Sequence, residues 1–198
     1  MVAQPNRRWM SVEDYLTLDK NSPGTRYEYI DGYVYLMAGG TPQHGLIMGN
    51  IQGELNRQFR QRGSSCRAYP SDVKWQLSET RYLFPDVSVT CEERDRKAKD
   101  GLRFPLLVVE VLSPGTEERD RNDKFDCYRA CASIQEVVLV RTARQVVEVY
   151  RRTVDNKWLL QLYGPEDEVE FVSLEVHIPA SIIFEDVEFP TDTPTAES

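Results

Sequence analysis

The chain has 198 residues, of which 40% are hydrophobic and 28% charged, with a formal net charge of −8 at pH 7. That length suits one domain with its own core, needing neither disulfides nor a structural metal. The acidic balance excludes binding of nucleic acid through overall charge, so such a partner must meet a local basic patch, a metal or a dimer groove. No apolar run reaches the length of a membrane span, and no charged, apolar and small-residue series marks a signal peptide. A cytoplasmic protein with no membrane partner is expected. None of the four cysteines (Cys66, Cys91, Cys127, Cys131) forms a CxxC pair, and the histidines are His44 and His177 alone. This argues against zinc and for four free thiols in a reducing compartment.

In chain order, "SVEDYLTLD" reads as a short helix with Ser11 as its N-cap and acids in its first turn. "RYEYIDGYVYLMA" reads as a β-hairpin, because Asp31-Gly32 separates two alternating, aromatic-rich runs. The tyrosines of that hairpin suit core or dimer packing. A helix over 41–62 follows, with Thr41 as cap, Pro42 at its first position and Gly63 beyond its end. Leu46, Ile47, Ile51, Leu55 and Phe59 make its apolar stripe. Gly45, Gly49 and Gly53 share another face, where a close backbone approach is expected, through tight packing or through room for a substrate. Strands are predicted over 66–77, 81–90 and 104–112, with the charged run "CEERDRKAKDGLR" looping between the last two. "SPGTEERDRNDKFDCYRACA" predicts a loop feeding a helix of roughly four turns capped by Thr116. A buried strand, "IQEVVLV", comes next, then a hairpin turning at Asp155-Asn156. The chain closes with a further strand, a turn and a short apolar helix. One domain over 1–189 is expected, followed by a disordered tail over 190–198.

Two acids stand out. Asp86 follows Pro85 in "FPDVSV", and proline belongs at a strand end or bulge rather than mid-sheet. Glu110 closes the apolar run "LLVVE". An ionised carboxylate in such a run is costly unless something compensates it. Two adjacent strands ending in neighbouring carboxylates would be reconciled by a divalent cation, with Mg²⁺ the usual choice and Mn²⁺ its substitute. One element later, Asp120, Lys124 and Tyr128 are spaced four apart and share a helix face. A lysine reaching from there toward the carboxylates could stabilise charge developing on a phosphate. Taken singly, Asp86 reads as a strand-end acid, Lys124 as a solvated partner of Asp120 and His44 as a helix-start histidine. Their joint placement is what points to metal-dependent phosphodiester hydrolysis.

The order of helix, three strands with acids on the second and third, helix and strand resembles the core of PD-(D/E)XK nucleases. More narrowly, "YEYIDGYVYLMAG", "TPQH", "FPDVSV", "VVEVLSP" and "DRNDKFDCY" are together similar to the Uma-type restriction endonuclease family, from about Val12 to Phe184. The resemblance implies an α/β, restriction-endonuclease-like fold, with a central mixed β-sheet, flanking helices and additional N- and C-terminal β-hairpins. It implies Asp86 and Glu110 as metal ligands and Lys124 as the catalytic lysine. Glu28 and His44 are added as members of the site, and the Val111 carbonyl is expected as a third protein ligand. The superfamily signature places a lysine two residues after the glutamate, where this chain has Leu112. Uma-type proteins move that lysine to the following helix, the place of Lys124. The functional expectation is a Mg²⁺-dependent endonuclease acting on DNA as a homodimer. A non-catalytic binding or assembly module of the same fold is the alternative, as is an enzyme acting on RNA or a smaller phosphodiester.

Overall fold

The computed structural model describes residues 9–37 and 39–189; the tail expected over 190–198 lies outside them. Helix α1 (Val12–Asn21) starts where Ser11 Oγ accepts the Asp14 N–H at 3.1 Å. Strands β1 (Tyr27–Ile30) and β2 (Tyr33–Leu36) form the first hairpin, with Asp31 (φ 48°) and Gly32 (φ 101°) both left-handed. Such a turn matches the twist of its two strands. Tyr29 is buried and stacks on Tyr15 at 4.8 Å, so this aromatic face is core. Helix α2 (Pro42–Gln61) is capped by Thr41 and buries Ile47, Ile51, Leu55 and Phe59.

The expected close approach at Gly45, Gly49 and Gly53 is not there. Among the described residues, nothing lies within 4 Å of where a Cβ would sit at any of the three. They occupy the exposed side of α2, opposite its buried stripe.

Each of the first two predicted strands is broken in two and shared between two sheets. Strands β3 (Arg67–Pro70), β4 (Trp75–Ser78), β5 (Arg81–Leu83) and β6 (Val87–Thr90) come from these runs. β4 and β5 join the hairpin in a four-stranded sheet ordered β2-β1-β5-β4, while β3 pairs with β6 elsewhere. The break after β5 has a local cause. Pro85 has no N–H to donate to a ladder, and the Phe84 N–H is taken by Glu28 Oε1 at 3.0 Å. The Trp75 indole donates to Ser88 Oγ at 2.6 Å and ties one sheet to the other.

A short helix α3 (Glu93–Arg96) lies in the charged loop, where buried Asp95 accepts the N–H groups of Arg103 (2.9 Å) and Phe104 (3.0 Å). Then come β7 (Leu107–Leu112) and a helical stretch in three parts: α4 (Glu117–Arg119), a π turn (Asp120–Lys124) and α5 (Phe125–Ala130). Thr116 makes no side-chain cap bond to this stretch. Strands β8 (Glu136–Arg141), β9 (Val146–Arg152) and β10 (Trp158–Tyr163) follow, then the hairpin of β11 (Glu168–Phe171) and β12 (Val176–Pro179), and α6 (Ala180–Ile183).

The main sheet runs β10-β9-β8-β7-β6-β3 and is mixed, since β7 and β8 are parallel while their other neighbours are antiparallel. Successive residues of β7 serve opposite faces. Val109 and Val111 join the α2 core with Val87, Val89, Val138 and Val140. Val108 and Leu112 join Tyr128, Ile134, Val137 and Leu139 on the other side.

One sequence expectation needs correction. Cys66 and Cys91 form a disulfide, leaving Cys127 and Cys131 as free thiols. The register explains it: Arg67 lies opposite Thr90, so the next position along the antiparallel pair brings Cys66 and Cys91 face to face.

Candidate active site

Glu110 shares the parity of Val108 and Leu112, so it leaves β7 on the face covered by the 117–130 helical stretch. It is 1% exposed. Its Oε1 lies 2.6 Å from Lys124 Nζ and accepts the hydroxyl of Tyr128. Lys124 also faces Glu28 Oε1 at 3.3 Å and Asp120 Oδ1 at 3.5 Å. The π turn carries Asp120 and Lys124, and α5 carries Tyr128. π turns inside α-helices are frequent at functional sites.

Glu28 enters from β1 and is fully buried. Besides the Phe84 N–H and Lys124, it receives the guanidinium of Arg119, which lies 3.9 Å over the ring of Tyr35. Asp86 stands just before β6, at the point where the chain passes between the sheets. Its Oδ2 accepts the Val111 N–H at 2.7 Å and lies 3.1 Å from His44 Nε2, in the first turn of α2. Pro85 therefore ends one strand and turns Asp86 toward β7.

These groups perturb one another. Burial drives the Glu110 carboxyl well above the usual carboxylate range, and the charges of Asp120, Asp86 and Glu28 add to that, against the pull of Lys124. For Lys124, burial opposes the charge, but Glu110, Glu28 and Asp120 outweigh it and raise the pKa. Glu28 is also opposed by burial, yet Lys124, Arg119 and the Phe84 N–H hold it below its ordinary value. His44 is raised: burial works against its proton, and the hydrogen bond and charge of Asp86 prevail.

An open cleft of about 310 Å³ reaches His44 and Asp86 from solvent, past Arg26, Thr41, Gly45 and Ser71. Glu110 and Lys124 lie behind them with side chains 2% and 5% exposed. Glu28, Asp86, Glu110 and Asp120 thus stand against two permanent cations, Arg119 and Lys124. A donor set of carboxylates fits a hard divalent cation, held by one or two of them and completed by water. Among the described residues no three His, Cys, Asp or Glu are already grouped around a metal position. The chemistry fits, and a complete protein cage is absent among those residues. Val111, expected to offer its carbonyl, meets Asp86 through its N–H.

The side chains predicted for the site fall into two contacting groups, His44 with Asp86 and Lys124 with Glu28 and Glu110, joined through the bond of Asp86 to the Val111 N–H. Arg119 was not foreseen, because its partner Glu28 lies 91 residues away and no local pattern links them. A second unforeseen network steadies the π turn from the side. Glu148 on β9 accepts Arg121 through both oxygens, at 2.7 and 2.8 Å, and Arg141 at 2.6 Å.

The model of a family described as "Uma2: Putative restriction endonuclease" matches residues 12–182. Two proteins of Synechocystis sp., both called uncharacterized, are similar along nearly their whole length. One, slr1290, is 34% identical over 181 residues, covering 91% of this chain and 94% of that protein. The other, sll1609, is 27% identical over 180 residues, covering 89% and 100%. The fold matches a crystal structure from Anabaena variabilis, described as a putative nuclease belonging to DUF820. That match has a TM-score of 0.72 and 19% identity, over 88% of this chain and 97% of that one. The family description supports a nuclease-like function and names neither metal nor substrate. Among the described residues no helix is long and apolar enough to cross a membrane.

Proposed function

This chain belongs to the Uma2 family, and from that premise we propose that it is a Mg²⁺-dependent endonuclease hydrolysing DNA phosphodiester bonds, with Mn²⁺ able to substitute. The observation that carries this reading is that Asp86, on the wall of a solvent-open cleft, bonds the Val111 N–H next to Glu110, whose carboxylate meets Lys124. Asp86 and Glu110 would hold the cation, with the Val111 carbonyl as a further ligand. When bound, the ion would polarise a phosphate oxygen and acidify an attacking water.

The chain's own residues do the rest. The Val111 N–H and His44 fix the carboxylate of Asp86 at the cleft floor. Tyr128 orients Glu110 by donating to it. Lys124, pinned by carboxylates of three different elements, presents a permanent positive charge next to Glu110. A preorganised charge in a site sealed from water stabilises a transition state strongly, since little reorganisation is needed as the reaction proceeds. Glu28 and Asp120 hold the lysine in place, and Arg119 balances Glu28. The same reading has the protein working as a homodimer because a duplex offers two strands to cut.

One observation favours a non-catalytic, nuclease-fold binding module instead: Glu110 already has its Oε1 occupied by Lys124 and Tyr128. Plasmid cleavage with Mg²⁺ or Mn²⁺ separates the two. Wild type should nick or linearise plasmid, and Asp86→Ala, Glu110→Gln and Lys124→Met should each lower the rate by at least about a hundredfold, the scale of losing an electrostatic catalytic group. Cutting that survives Glu110→Gln refutes this site. Salt-sensitive DNA binding by a wild type that never cuts would select the binding module.

A further inference from the structure

The six-stranded sheet ends at β10, and no described strand pairs with the outer edge of that strand. The hairpin determines which backbone groups face outward. The Thr153 N–H donates to the Lys157 carbonyl at 2.8 Å, so Lys157, Leu159, Gln161 and Tyr163 turn their backbone groups toward β9. By the alternation of an antiparallel ladder, Trp158, Leu160 and Leu162 turn theirs away from the sheet.

Edges left open in monomeric proteins are usually shortened, bulged, or protected by proline or charge. The opposite edge, β3, is such a case, being four residues long and carrying Arg67 and Pro70. β10 has none of these protections. Its sequence "WLLQLY" is uncharged, it pairs with β9 residue for residue, and Leu159, Leu160 and Leu162 are 55%, 44% and 59% exposed.

We propose that two copies of this chain associate along β10, edge to edge and antiparallel, about a two-fold axis through Leu160, so that their main sheets become one continuous sheet. The register follows from pairing rules. Opposed residues must lie on the same face, and centring on Leu160 satisfies every outward group: Leu160 pairs with its own copy and Trp158 with Leu162. Centring on Gln161 would leave the groups of Trp158 unmatched. Trp158, Leu160 and Leu162 share one face of the strand, so the same register sets Leu160 against Leu160 and Trp158 against Leu162. Such apolar cross-strand pairs stabilise a sheet. The ends also match in charge. Antiparallel pairing puts Lys157 of one copy, exposed and paired with Asp155 of its own chain at 2.5 Å, opposite Tyr163 of the other, with the exposed acidic turn of Glu166, Asp167 and Glu168 beyond it. The inference rests on the homodimeric reading and supplies its surface; it does not depend on the chemistry of the cleft.

Sedimentation velocity of the full chain at micromolar concentration is the test. Wild type should run at twice the 22.9 kDa chain mass. The double variant Leu160→Lys/Leu162→Lys should run at the single-chain mass, with its circular dichroism unchanged because both side chains are exposed in the single chain. Under oxidation Leu160→Cys should yield a disulfide-linked dimer through the two-fold, whereas Val154→Cys, exposed at the hairpin tip, should not. A monomeric wild type overturns the interface and the homodimer together and leaves the edge to a strand of another protein. A double variant that remains fully dimeric overturns this interface and leaves the homodimer standing. If that variant does not fold, failure of Leu160→Cys to cross-link overturns the proposal.

Discussion

Replacing Lys124 by methionine keeps a side chain of similar length and removes the ammonium that faces Glu110 at 2.6 Å, Glu28 at 3.3 Å and Asp120 at 3.5 Å. All four side chains are at most 6% exposed, so solvent cannot take over the lost role. Removing one partner of a buried ion pair costs about 3–5 kcal/mol. For a chain of this size that corresponds to a fall in Tm of roughly 6–20 °C. The loss should depend on pH. Glu110 already has a folded-state pKa above its unfolded value because of burial, and Lys124 is the group that opposes this. Without Lys124 the carboxyl should rise further and become protonated in the folded state. A raised carboxyl stabilises the folded state fully below the unfolded pKa, about 4.3, and that contribution is lost as pH rises through the folded value. The defect of Lys124→Met should therefore be small near pH 4 and grow toward pH 7.5. Urea denaturation followed by circular dichroism at both pH values measures it. The double variant Lys124→Met/Glu110→Gln should recover at least about 2 kcal/mol of the single-variant loss at pH 7.5, the coupling expected of contacting charges. A Lys124→Met protein within about 0.5 kcal/mol of wild type at pH 7.5, or effects additive within that margin, would refute the picture of a buried cluster held by its lysine.

Glu148→Gln should destabilise by about 2–3 kcal/mol, because it removes charge-assisted bonds to Arg121 and Arg141. Burial opposes the Glu148 charge but the two arginines hold its pKa down, so the gap to wild type should be full at neutral pH and close as pH falls below about 4. Asp95→Ala should cost about 1–3 kcal/mol by stranding the Arg103 and Phe104 N–H groups; limited proteolysis should then cut the 97–104 loop faster than in wild type. Denatured without reductant, the protein should titrate two thiols with Ellman's reagent and four after reduction. Closing a 25-residue separation, that bond should be worth about 3 kcal/mol in denaturant. Four thiols without reductant would refute the bridge.

Much of the architecture was legible because its signals are local. Ser11, Thr41 and Pro42 mark helix starts through their own backbone bonding, and Asp31-Gly32 and Asp155-Asn156 mark turns because Asp31, Gly32 and Asn156 adopt positive φ. The alternation of valines in β7 and β8 announces a buried sheet whichever strands lie beside it. Asp86, Glu110 and Lys124 could be singled out because an acid in an apolar run, or after a proline, requires compensation.

Other features were decided by groups far apart in the chain. The strand predicted over 81–90 divides between two sheets because Glu28 takes the Phe84 N–H across 56 residues while Pro85 has none to give; the strand predicted over 66–77 divides likewise, β3 pairing with β6 and β4 with β5. The disulfide depends on the register of β3 against β6, which places Cys66 and Cys91 opposite each other. The glycines of α2 look from their spacing like a packing surface, yet no described residue packs on them, because only the assembled fold determines which helix face is covered. The site divides the same way. The residue types and their order define what chemistry is available, and the tertiary structure determines that Glu110 is sealed with Lys124 and Tyr128 while Asp86 and His44 face the cleft. Hydrogen-bond capacity and strand periodicity are carried by each residue and its neighbours, whereas burial and electrostatic partnership exist only once distant segments share a dry interior.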